Sequence, residues 1–379
     1  MDRRMFLRCL GCSAAAAAAS QTELVPEFLG GLQNACAFDF TKELSSVQAR
    51  YYKKLEGGGI ECTLCPRHCR VTDLERGYCG VRENRSDVYY TLVHGLPCAL
   101  NIDPIEKKPL FHFYPGTTAL SLATAGCNVN CKCCQNWEIS QSRPEQTDNL
   151  DLSPKALVDI CTHRNVPTIA YTYSEPIVFY EYMYDTAELG HKKAVKSVMI
   201  TGGYIEQKPL ADLMLQLDAI KVDLKAIRED YYKNFVGGEL KPILDGLVQI
   251  KKAGMWLEIV YLVIPTLNDT EAEFKELARW IKANLGTDTP LHFSRFHPQY
   301  LLRNLPATPK KTLETAHAIS RAEGLEFVYL GNIAGHPAES TYCPACGQVL
   351  IERRGYRIYQ NNLKGNHCSK CGREIPGVF

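Results

Sequence analysis

The cysteines of this 379-residue sequence are its most constraining feature, because eleven of the 17 fall into three compact groups. The groups are Cys62, Cys65, Cys69 and Cys79; Cys127, Cys131 and Cys134; and Cys343, Cys346, Cys368 and Cys371. Disulfide frameworks belong to small secreted chains, whereas thiols two or three residues apart in a large chain are typical of metal sites. We therefore interpret the three groups as metal ligands, each on a tight loop.

The remaining composition is that of an ordinary globular protein. With 43 basic and 42 acidic residues the formal charge is +1, and no long run of one sign occurs. This balance argues against a partner that is a nucleic acid or a membrane surface. No stretch approaches the roughly 18 apolar residues of a membrane-spanning helix, so no transmembrane segment is predicted.

From residue 118 onward, short β-rich runs alternate with stretches of helical periodicity. We predict strands at 119–124, 168–173, 197–201, 219–224, 256–263, 291–296 and 326–330, with helices between them, for example at 242–252 and 271–283. This alternation is typical of β-α units on a parallel sheet. Six or seven units favour an α/β fold with a partial, open (β/α)6-type barrel over a closed barrel of eight, with the active site at the carboxyl ends of the strands.

The middle cysteine group follows the first of these strands through Gly126. Cys127, Cys131 and Cys134 supply three thiolates, which leaves one iron of a [4Fe-4S] cluster free to bind another ligand. Their C-x3-C-x2-C spacing resembles that of the radical S-adenosylmethionine (SAM) superfamily, and Cys133 lies outside the pattern. The alternative is a zinc loop, which would require a fourth ligand.

The resemblance implies a specific chemistry for this loop. The free iron would chelate the amino and carboxylate groups of SAM, and one electron would cleave SAM reductively to a 5′-deoxyadenosyl radical. That radical would abstract a hydrogen atom from a substrate, while the protein positions the reacting atoms and excludes water.

Two further segments at strand ends are candidates for contacts with SAM. Ser174, Glu175 and Pro176 stand where radical SAM enzymes carry a Gly-Gly-Glu-Pro element, which makes Glu175 the candidate acceptor for the SAM amino group. Gly202, in Thr-Gly-Gly after the third strand, would let the backbone approach a nucleoside closely. Either segment could instead be a plain turn.

The fourth and sixth strands end in charged candidates. Asp223 and Lys225 form an Asp-x-Lys element that resembles one near the SAM carboxylate in activating enzymes of glycyl radical enzymes. His297, after Arg-Phe, is expected to face the same mouth and to contact the adenosyl group. The alternatives are a surface ion pair and a capping histidine.

The two outer cysteine groups each supply four thiolates and so predict closed sites. Cys62, Cys65, Cys69 and Cys79 could hold zinc or a second iron–sulfur cluster, and the spacing does not choose between them. Cys343, Cys346, Cys368 and Cys371 form two C-x2-C-G knuckles with the spacing of a zinc ribbon, for zinc or a single iron, around a β-hairpin of 349–351 and 356–359.

Over about residues 45 to 379 the chain resembles the radical SAM enzymes of the AmmeMemoRadiSam system, relatives of the pyruvate formate-lyase activating enzyme. The segments that carry the resemblance are CTLCPRHC and GYCGVREN, DPIEKKPL from Asp103, GCNVNCKCCQNWEIS from Gly126, YTYSEP, SRFHP and YCPACG. The sequence departs from the family at Ser174 and Gly202, where asparagines are expected, and at Cys133. The implied domains are a leader at 1–37, an N-terminal four-cysteine module and lead-in at 38–115, a radical SAM core at 116–336 and a C-terminal four-cysteine ribbon at 337–379.

The resemblance also implies partners and a compartment. A flavodoxin- or ferredoxin-type protein would donate the electron, and the substrate could be another protein. Because SAM and low-potential donors are cytosolic supplies, a cytoplasmic location is favoured, although the Arg-Arg-Met-Phe-Leu run from Arg3 and the alanine run 14–19 resemble a twin-arginine export signal. The alternative function is a zinc-stapled binding or scaffold protein without SAM chemistry.

Overall fold

An eight-stranded sheet is the central element of the computed structural model, which describes residues 40–41 and 43–379. Its strands are Ala99–Pro104 (β1), Thr118–Ala123 (β2), Thr168–Tyr171 (β3), Lys196–Thr201 (β4), Ala219–Asp223 (β5), Trp256–Val263 (β6), Leu291–Arg295 (β7) and Val328–Gly331 (β8). The predicted leader at 1–37 lies outside the described residues.

The strands of this sheet follow one another in chain order. β2 to β8 are parallel neighbours, and β1 pairs antiparallel with β2. In the described part of the chain the edge strands β1 and β8 do not pair with each other, so the sheet is open. Every carboxyl end of β2 to β8 therefore reaches the same edge.

Six helices of eight residues or more connect the parallel strands. They are Pro154–Arg164 (α1), Tyr180–His191 (α2), Gln207–Met214 (α3), Leu240–Lys252 (α4), Glu271–Asn284 (α5) and Lys310–Ala322 (α6). Side chains fix some of their starts: Ser153 Oγ accepts from the Ala156 N–H at 3.2 Å, and Thr270 Oγ1 accepts from the Glu273 N–H at 3.2 Å. Each of the six connects two neighbouring parallel strands, as in repeated β-α units.

The seven strands predicted from periodicity are all present, with ends that move by two residues at most. The strand predicted at 256–263 has those bounds, and the helix predicted at 271–283 extends to residue 284. β1 was missed because Asn101 and Asp103 deny it the continuous apolar run of the other strands, and because it lies within the segment that we interpreted as a lead-in.

Apolar side chains fill the interior of the sheet at the amino ends of its strands. Ile105, Leu110 and Phe113, from the segment after β1, pack there against small residues such as Ala119 and Ala170. These side chains fill the space at the amino ends of the strands, so the open cavity lies toward the carboxyl ends.

Small sheets flank the main one on both sides. On the N-terminal side, Phe40–Thr41 pairs with Asn149–Leu150; Val47–Gln48, Val88–Thr91 and Arg82–Arg85 form a second sheet; Tyr52–Lys54, Ile60–Cys62 and Arg70–Val71 form a third. On the C-terminal side, Thr341–Tyr342, Val349–Arg354 and Arg357–Asn361 form a sheet, and Leu363–Lys364 pairs with His367–Cys368. The predicted hairpin in the C-terminal segment is present as the antiparallel pair 349–354 and 357–361.

Short helical segments complete the fold. They are the α-helical turns Trp137–Ser140 and Glu229–Tyr231, the π-helix Tyr232–Val236, and the 3-10 helices Ile105–Lys107, Pro144–Gln146, Pro176–Phe179 and Pro337–Glu339. Within residues 40–41 and 43–379, none of the helices combines the length and the apolarity that a bilayer span requires.

Candidate active site

The loop after β2 carries the cysteine triad to the wall of a cavity of about 550 Å³. Cys127, Cys131 and Cys134 all line this cavity, and so does Cys133, which the spacing argument set aside. The residues around them come from the carboxyl ends of successive strands, as in other parallel α/β sheets, where ligands bind at this edge. Five of the six predicted SAM contacts share the cavity: Ser174, Glu175, Gly202, Asp223 and Lys225.

Neighbouring backbone groups hold the triad loop in place. The Asn130 N–H donates to the Val236 carbonyl at 3.0 Å, and the Lys132 N–H donates to the Phe235 carbonyl at 2.9 Å. The Cys134 N–H closes a turn on the Cys131 carbonyl at 3.0 Å. The loop is therefore fixed by the π-helix 232–236 as well as by its own turns.

Burial raises the pKa of two of the triad thiols. It raises the pKa of Cys131 to about 12, and together with the nearby Glu175 carboxylate it raises the pKa of Cys127 well above its ordinary value. Without a cation these thiols stay protonated, whereas a bound iron would replace the protons. Three thiols on one short loop, of which burial keeps two protonated in the absence of a cation, therefore fit a metal cluster.

Glu175 is a buried carboxylate between the ends of β3 and β4. Its Oε1 accepts from the Thr201 hydroxyl at 2.6 Å, and its Oε2 accepts from the Gly202 N–H at 2.9 Å. Oε1 also accepts from the Ile177 N–H at 3.3 Å, which caps the 3-10 helix that follows. Burial raises its pKa despite these donors. The carboxylate is thus oriented rather than free to rotate.

Two of the three positions that depart from the family pattern, Ser174 and Gly202, serve this arrangement. Ser174 Oγ donates to the Thr124 carbonyl at 2.8 Å, which ties the loop after β3 to the end of β2. Gly202 leaves room for Glu175, because a Cβ atom at Gly202 would lie 3.3 Å from the carboxylate Oε2. The sequence predicted that a nucleoside would approach the backbone closely at Gly202. In the structure the Glu175 carboxylate makes that close approach.

Asp223 and Lys225 lie at the end of β5, and the buried Lys221 joins them. Asp223 Oδ1 is paired with Lys221, and Asp223 Oδ2 lies 4.0 Å from Lys225 Nζ. Burial favours the neutral acid, but the two ammonium groups outweigh it and lower the pKa of Asp223. The carboxylate is therefore ionised, and the cavity contains two cations beside it.

The structure places His297 outside this cavity, contrary to the expected orientation toward the mouth. β7 ends at Arg295, and His297 lies two residues beyond it as an exposed side chain. The histidine of this strand that does line the cavity is His292, which faces inward and bonds to Glu258 at 2.7 Å. The role of His297 as an adenosyl contact stays a prediction that this geometry does not favour.

Sequence reasoning missed several buried charged residues of the cavity. Lys108 is 3% exposed, and its Nζ lies 2.6 Å from Asp103 Oδ2, which also accepts from the Tyr173 hydroxyl at 2.6 Å. Lys221, which lines the cavity, and Glu258, which bonds to the cavity residue His292, stand inside largely apolar strands. An ionic side chain at an alternating position of a buried strand was the available signal.

The C-terminal cysteines have the geometry of a mononuclear tetrahedral site. Cys343 Sγ lies 3.6 Å from Cys371 Sγ, and Cys346 Sγ lies 3.8 Å from Cys368 Sγ. Four thiolates with zinc–sulfur bonds of about 2.3 Å stand about 3.8 Å apart. The hairpin of this module also reaches the cavity, whose wall includes Tyr356 at its tip.

The N-terminal cysteines line a separate small pocket beside the triad loop. Cys62, Cys65, Cys69 and Cys79 share its wall with residues of the loop and of the 3-10 helix before α2, including Asn128 and Val178. All four thiols are free, as are the other described cysteines. This group is thus brought together, as its spacing predicts.

Comparison with known proteins agrees with this arrangement. The family model of the radical SAM superfamily matches residues 121–281. The chain is 44% identical over 334 residues to the uncharacterised protein MJ0808 of Methanocaldococcus jannaschii, covering 88% of this chain and 99% of that protein. It is 21% identical over 199 residues to the pyruvate formate-lyase-activating enzyme of Clostridium pasteurianum, covering 49% and 83%. A radical SAM methyltransferase structure from Sphaerobacter thermophilus aligns over 86% of each chain with 16% identity and a TM-score of 0.48.

The match to the radical SAM family model, on a mixed α/β fold, supports SAM-dependent radical chemistry for this chain. The chain belongs to the radical SAM superfamily, in the same family as MJ0808, and is a distant relative of the pyruvate formate-lyase activating enzymes. Membership implies a [4Fe-4S] cluster and SAM as cofactors. The resemblance to these enzymes stated from the sequence motifs is confirmed at this level.

Proposed function

We propose that the protein is a radical SAM enzyme that cleaves SAM reductively to a 5′-deoxyadenosyl radical and abstracts a hydrogen atom from a partner protein. One observation carries the proposal. Cys127, Cys131 and Cys134 line one cavity together with the oriented carboxylate of Glu175. A three-thiolate loop next to a fixed buried carboxylate suits an open-sited cluster and a cationic amino group better than it suits a structural metal.

The cavity residues have distinct roles in this proposal. The three thiols hold the [4Fe-4S] cluster, which supplies the electron for SAM cleavage when bound. Glu175 accepts from the SAM amino group, and Lys225 lies near the SAM carboxylate. The buried position of these groups excludes water and strengthens the electrostatic attraction between them and the ligand.

We further interpret the open parallel sheet as a partial (β/α)6-type barrel and assign the chain to the AmmeMemoRadiSam branch. The six connecting helices and the open edges support the first interpretation. The sequence segments from Asp103 and Gly126 support the second. The C-terminal module, with its hairpin and four sulfurs, is proposed to be a zinc ribbon.

Single cysteine replacements test the proposal. In protein reconstituted anaerobically, Cys127→Ala, Cys131→Ala and Cys134→Ala should each abolish 5′-deoxyadenosine formation from SAM and dithionite. Cys133→Ala is the matched control, because Cys133 lines the same cavity but lies outside the triad spacing, and it should retain activity. A colourless wild-type protein that holds only zinc and leaves SAM intact would instead support the scaffold alternative.

A protein substrate is proposed because two relatives are activating enzymes, one of pyruvate formate-lyase and one of benzylsuccinate synthase. Deuterium transfer tests it: the macromolecular fraction of an extract from deuterium-grown cells should place deuterium in 5′-deoxyadenosine. Protease treatment of that fraction should abolish the transfer. Transfer supported by the small-molecule fraction alone would exclude a protein substrate.

We propose a flavodoxin- or ferredoxin-type electron donor and a cytoplasmic location, since both the donor and SAM are supplied there. The twin-arginine-like segment from Arg3 keeps export open as an alternative. Fractionation of cells that produce the full chain tests the location, and recovery of a shortened protein outside the cytoplasm would contradict it.

A further inference from the structure

The four N-terminal thiols have a wider spacing than a single metal ion requires. In the part of the chain that the structure describes, the C-terminal four cysteines are the only group of three or more ligand residues whose ligand atoms all lie within 4.8 Å of one another. The triad of the SAM loop, which family membership assigns to a cluster, is wider than this limit. The N-terminal group is wider too, although its four thiols share one pocket. A cluster separates its thiolates by several iron atoms, so wide spacing favours a cluster over zinc.

Two buried hydrogen-bond donors face this pocket without partners. Arg82 is 1% exposed and Tyr89 is 0% exposed, and both line the pocket. Among the described residues, neither Arg82 Nη1 nor the Tyr89 hydroxyl has a hydrogen-bond partner. Buried donors normally find an acceptor. A cluster offers sulfide and thiolate acceptors and a negative charge at this place.

The pocket touches the triad loop through backbone atoms. A Cβ atom at Gly126 would lie 2.7 Å from the Cys79 carbonyl oxygen, so the residue before Cys127 packs directly on a ligand of the N-terminal site. The residue after Cys127 also reaches the pocket, because Asn128 lines it and its carbonyl accepts from Arg67 Nε. The two cysteine groups are therefore in van der Waals contact through one short stretch of chain.

Part of the pocket wall is exposed to solvent. Cys69 is half-buried, and the neighbouring Tyr78 is 50% exposed while its N–H donates to Cys69 Sγ at 3.4 Å. A redox protein could thus approach one ligand of the N-terminal site, whereas the triad lies on the wall of a separate cavity.

We propose that Cys62, Cys65, Cys69 and Cys79 hold a second iron–sulfur cluster that passes electrons to the cluster on Cys127, Cys131 and Cys134. This inference rests on the proposed function. A one-electron donor of the flavodoxin or ferredoxin class reduces the N-terminal cluster, which is reoxidised as the triad cluster is reduced. That electron enters the sulfonium C–S bond of SAM and yields methionine and the 5′-deoxyadenosyl radical.

Metal analysis and spectroscopy of the wild-type protein test the cluster without any substitution. Anaerobically reconstituted protein should contain about eight irons and about eight sulfides per chain, and about one metal ion in the C-terminal site. Electron paramagnetic resonance of the reduced protein should show two clusters, and SAM should change the signal of only one. About four irons with a second zinc would overturn the inference and leave the proposed function standing, whereas no iron would overturn both.

The relay is tested by comparing two electron donors. Cys69→Ala should lower the iron content to about four or five per chain and lower SAM cleavage with a reduced flavodoxin by about tenfold or more. With dithionite, a small reductant that reaches the triad cluster directly, cleavage should stay within about twofold. Cys98→Ala is the matched control, since Cys98 is a free cysteine outside the three cysteine groups and its replacement should leave the iron content and both rates unchanged. Equal loss with both donors, or no loss with flavodoxin, would overturn the relay.

If Cys69→Ala does not fold, Tyr89→Phe is tested in its place. It removes only a hydroxyl that lacks a partner among the described residues and should shift the potential of one cluster to more negative values, because a hydrogen bond to sulfur stabilises the reduced cluster. An unchanged potential for both clusters would contradict the placement of that hydroxyl against the cluster.

Discussion

Replacing Gly126 with alanine should destabilise the protein because this residue combines an unfavourable backbone angle with a close contact. Its φ is +94°, and an added Cβ atom would lie 2.7 Å from the Cys79 carbonyl oxygen and 2.7 Å from Val81 Cγ1. Both neighbours are backbone or a branched side chain that cannot swing away. The Gly126 N–H is also held by the Ile139 carbonyl at 2.9 Å, which limits relaxation of the loop.

The expected magnitude has two parts. A left-handed backbone costs a residue with a Cβ atom about 1–2 kcal/mol. Forcing a methyl group into filled space costs about 1–3 kcal/mol more. Gly126→Ala should therefore lower the free energy of unfolding by about 2–5 kcal/mol. Gly254→Ala is the matched control: its φ is +72°, but nothing lies within 4 Å of the added atom, so only the first part applies.

Guanidinium-induced unfolding of the reconstituted protein, followed anaerobically by tryptophan fluorescence, measures both variants against the wild type. Iron content should be measured on each sample, so that a lost cluster is not mistaken for a packing effect. If Gly126→Ala costs no more than Gly254→Ala, the triad loop does not pack on Cys79, and the contact on which the relay depends is refuted.

Three further predictions address the cavity, the pH dependence and the C-terminal site. Glu175→Gln presents an amide N–H₂ where Gly202 also donates, so equilibrium binding of SAM should weaken by about tenfold, and unchanged affinity would exclude the proposed contact. Burial lowers the pKa of His112 to about 4, and its Nδ1 bonds to the Pro376 carbonyl at 2.7 Å, so the folded state holds the neutral ring. Because the unfolded histidine binds a proton below about 6.5, the free energy of unfolding should fall by up to about 3 kcal/mol as the pH decreases from about 6.5 to about 4. His112→Gln should remove that part of the slope in denaturation measured at several pH values, and an unchanged slope would contradict the buried neutral ring. Cys371→Ala should release the C-terminal metal while SAM cleavage persists, and a folded variant without cleavage would contradict a structural role.

Much of the fold follows from local patterns in the sequence. The parallel strands are buried on both faces, so their apolar runs stand out between helices with one apolar side, and their order follows from the preference for neighbouring strands to pair. The triad was predicted from the resemblance of its C-x3-C-x2-C spacing to the radical SAM pattern, and Cys133 on the same loop lies outside that spacing. β1 escaped because a strand with Asn101 and Asp103 on its edge lacks that apolar signal.

The rest of the site depends on contacts between distant segments. Lys221 and Glu258 interrupt apolar strands, and no local pattern explains them. In the structure Lys221 is paired with Asp223, and Glu258 is paired with His292. The exposed position of His297 could not be foreseen either, because this residue lies two residues beyond the end of β7 at Arg295, where the alternation of a strand no longer sets the direction of a side chain. Sequence spacing also cannot reveal that Gly126 packs on Cys79, 47 residues earlier in the chain.

Arg353 limits how the C-terminal module can be exchanged between proteins. This buried side chain of the hairpin donates to the Thr341 hydroxyl and to the Phe111 carbonyl, both at 2.7 Å, and its Nε lies 3.7 Å from Glu106 on the cavity wall. A chimera that grafts a foreign ribbon after residue 336 would leave the buried Glu106 carboxylate without its guanidinium partner, at a cost of up to about 3–5 kcal/mol. Recombination of this module should therefore succeed only when the Asp103–Phe111 segment is exchanged with it.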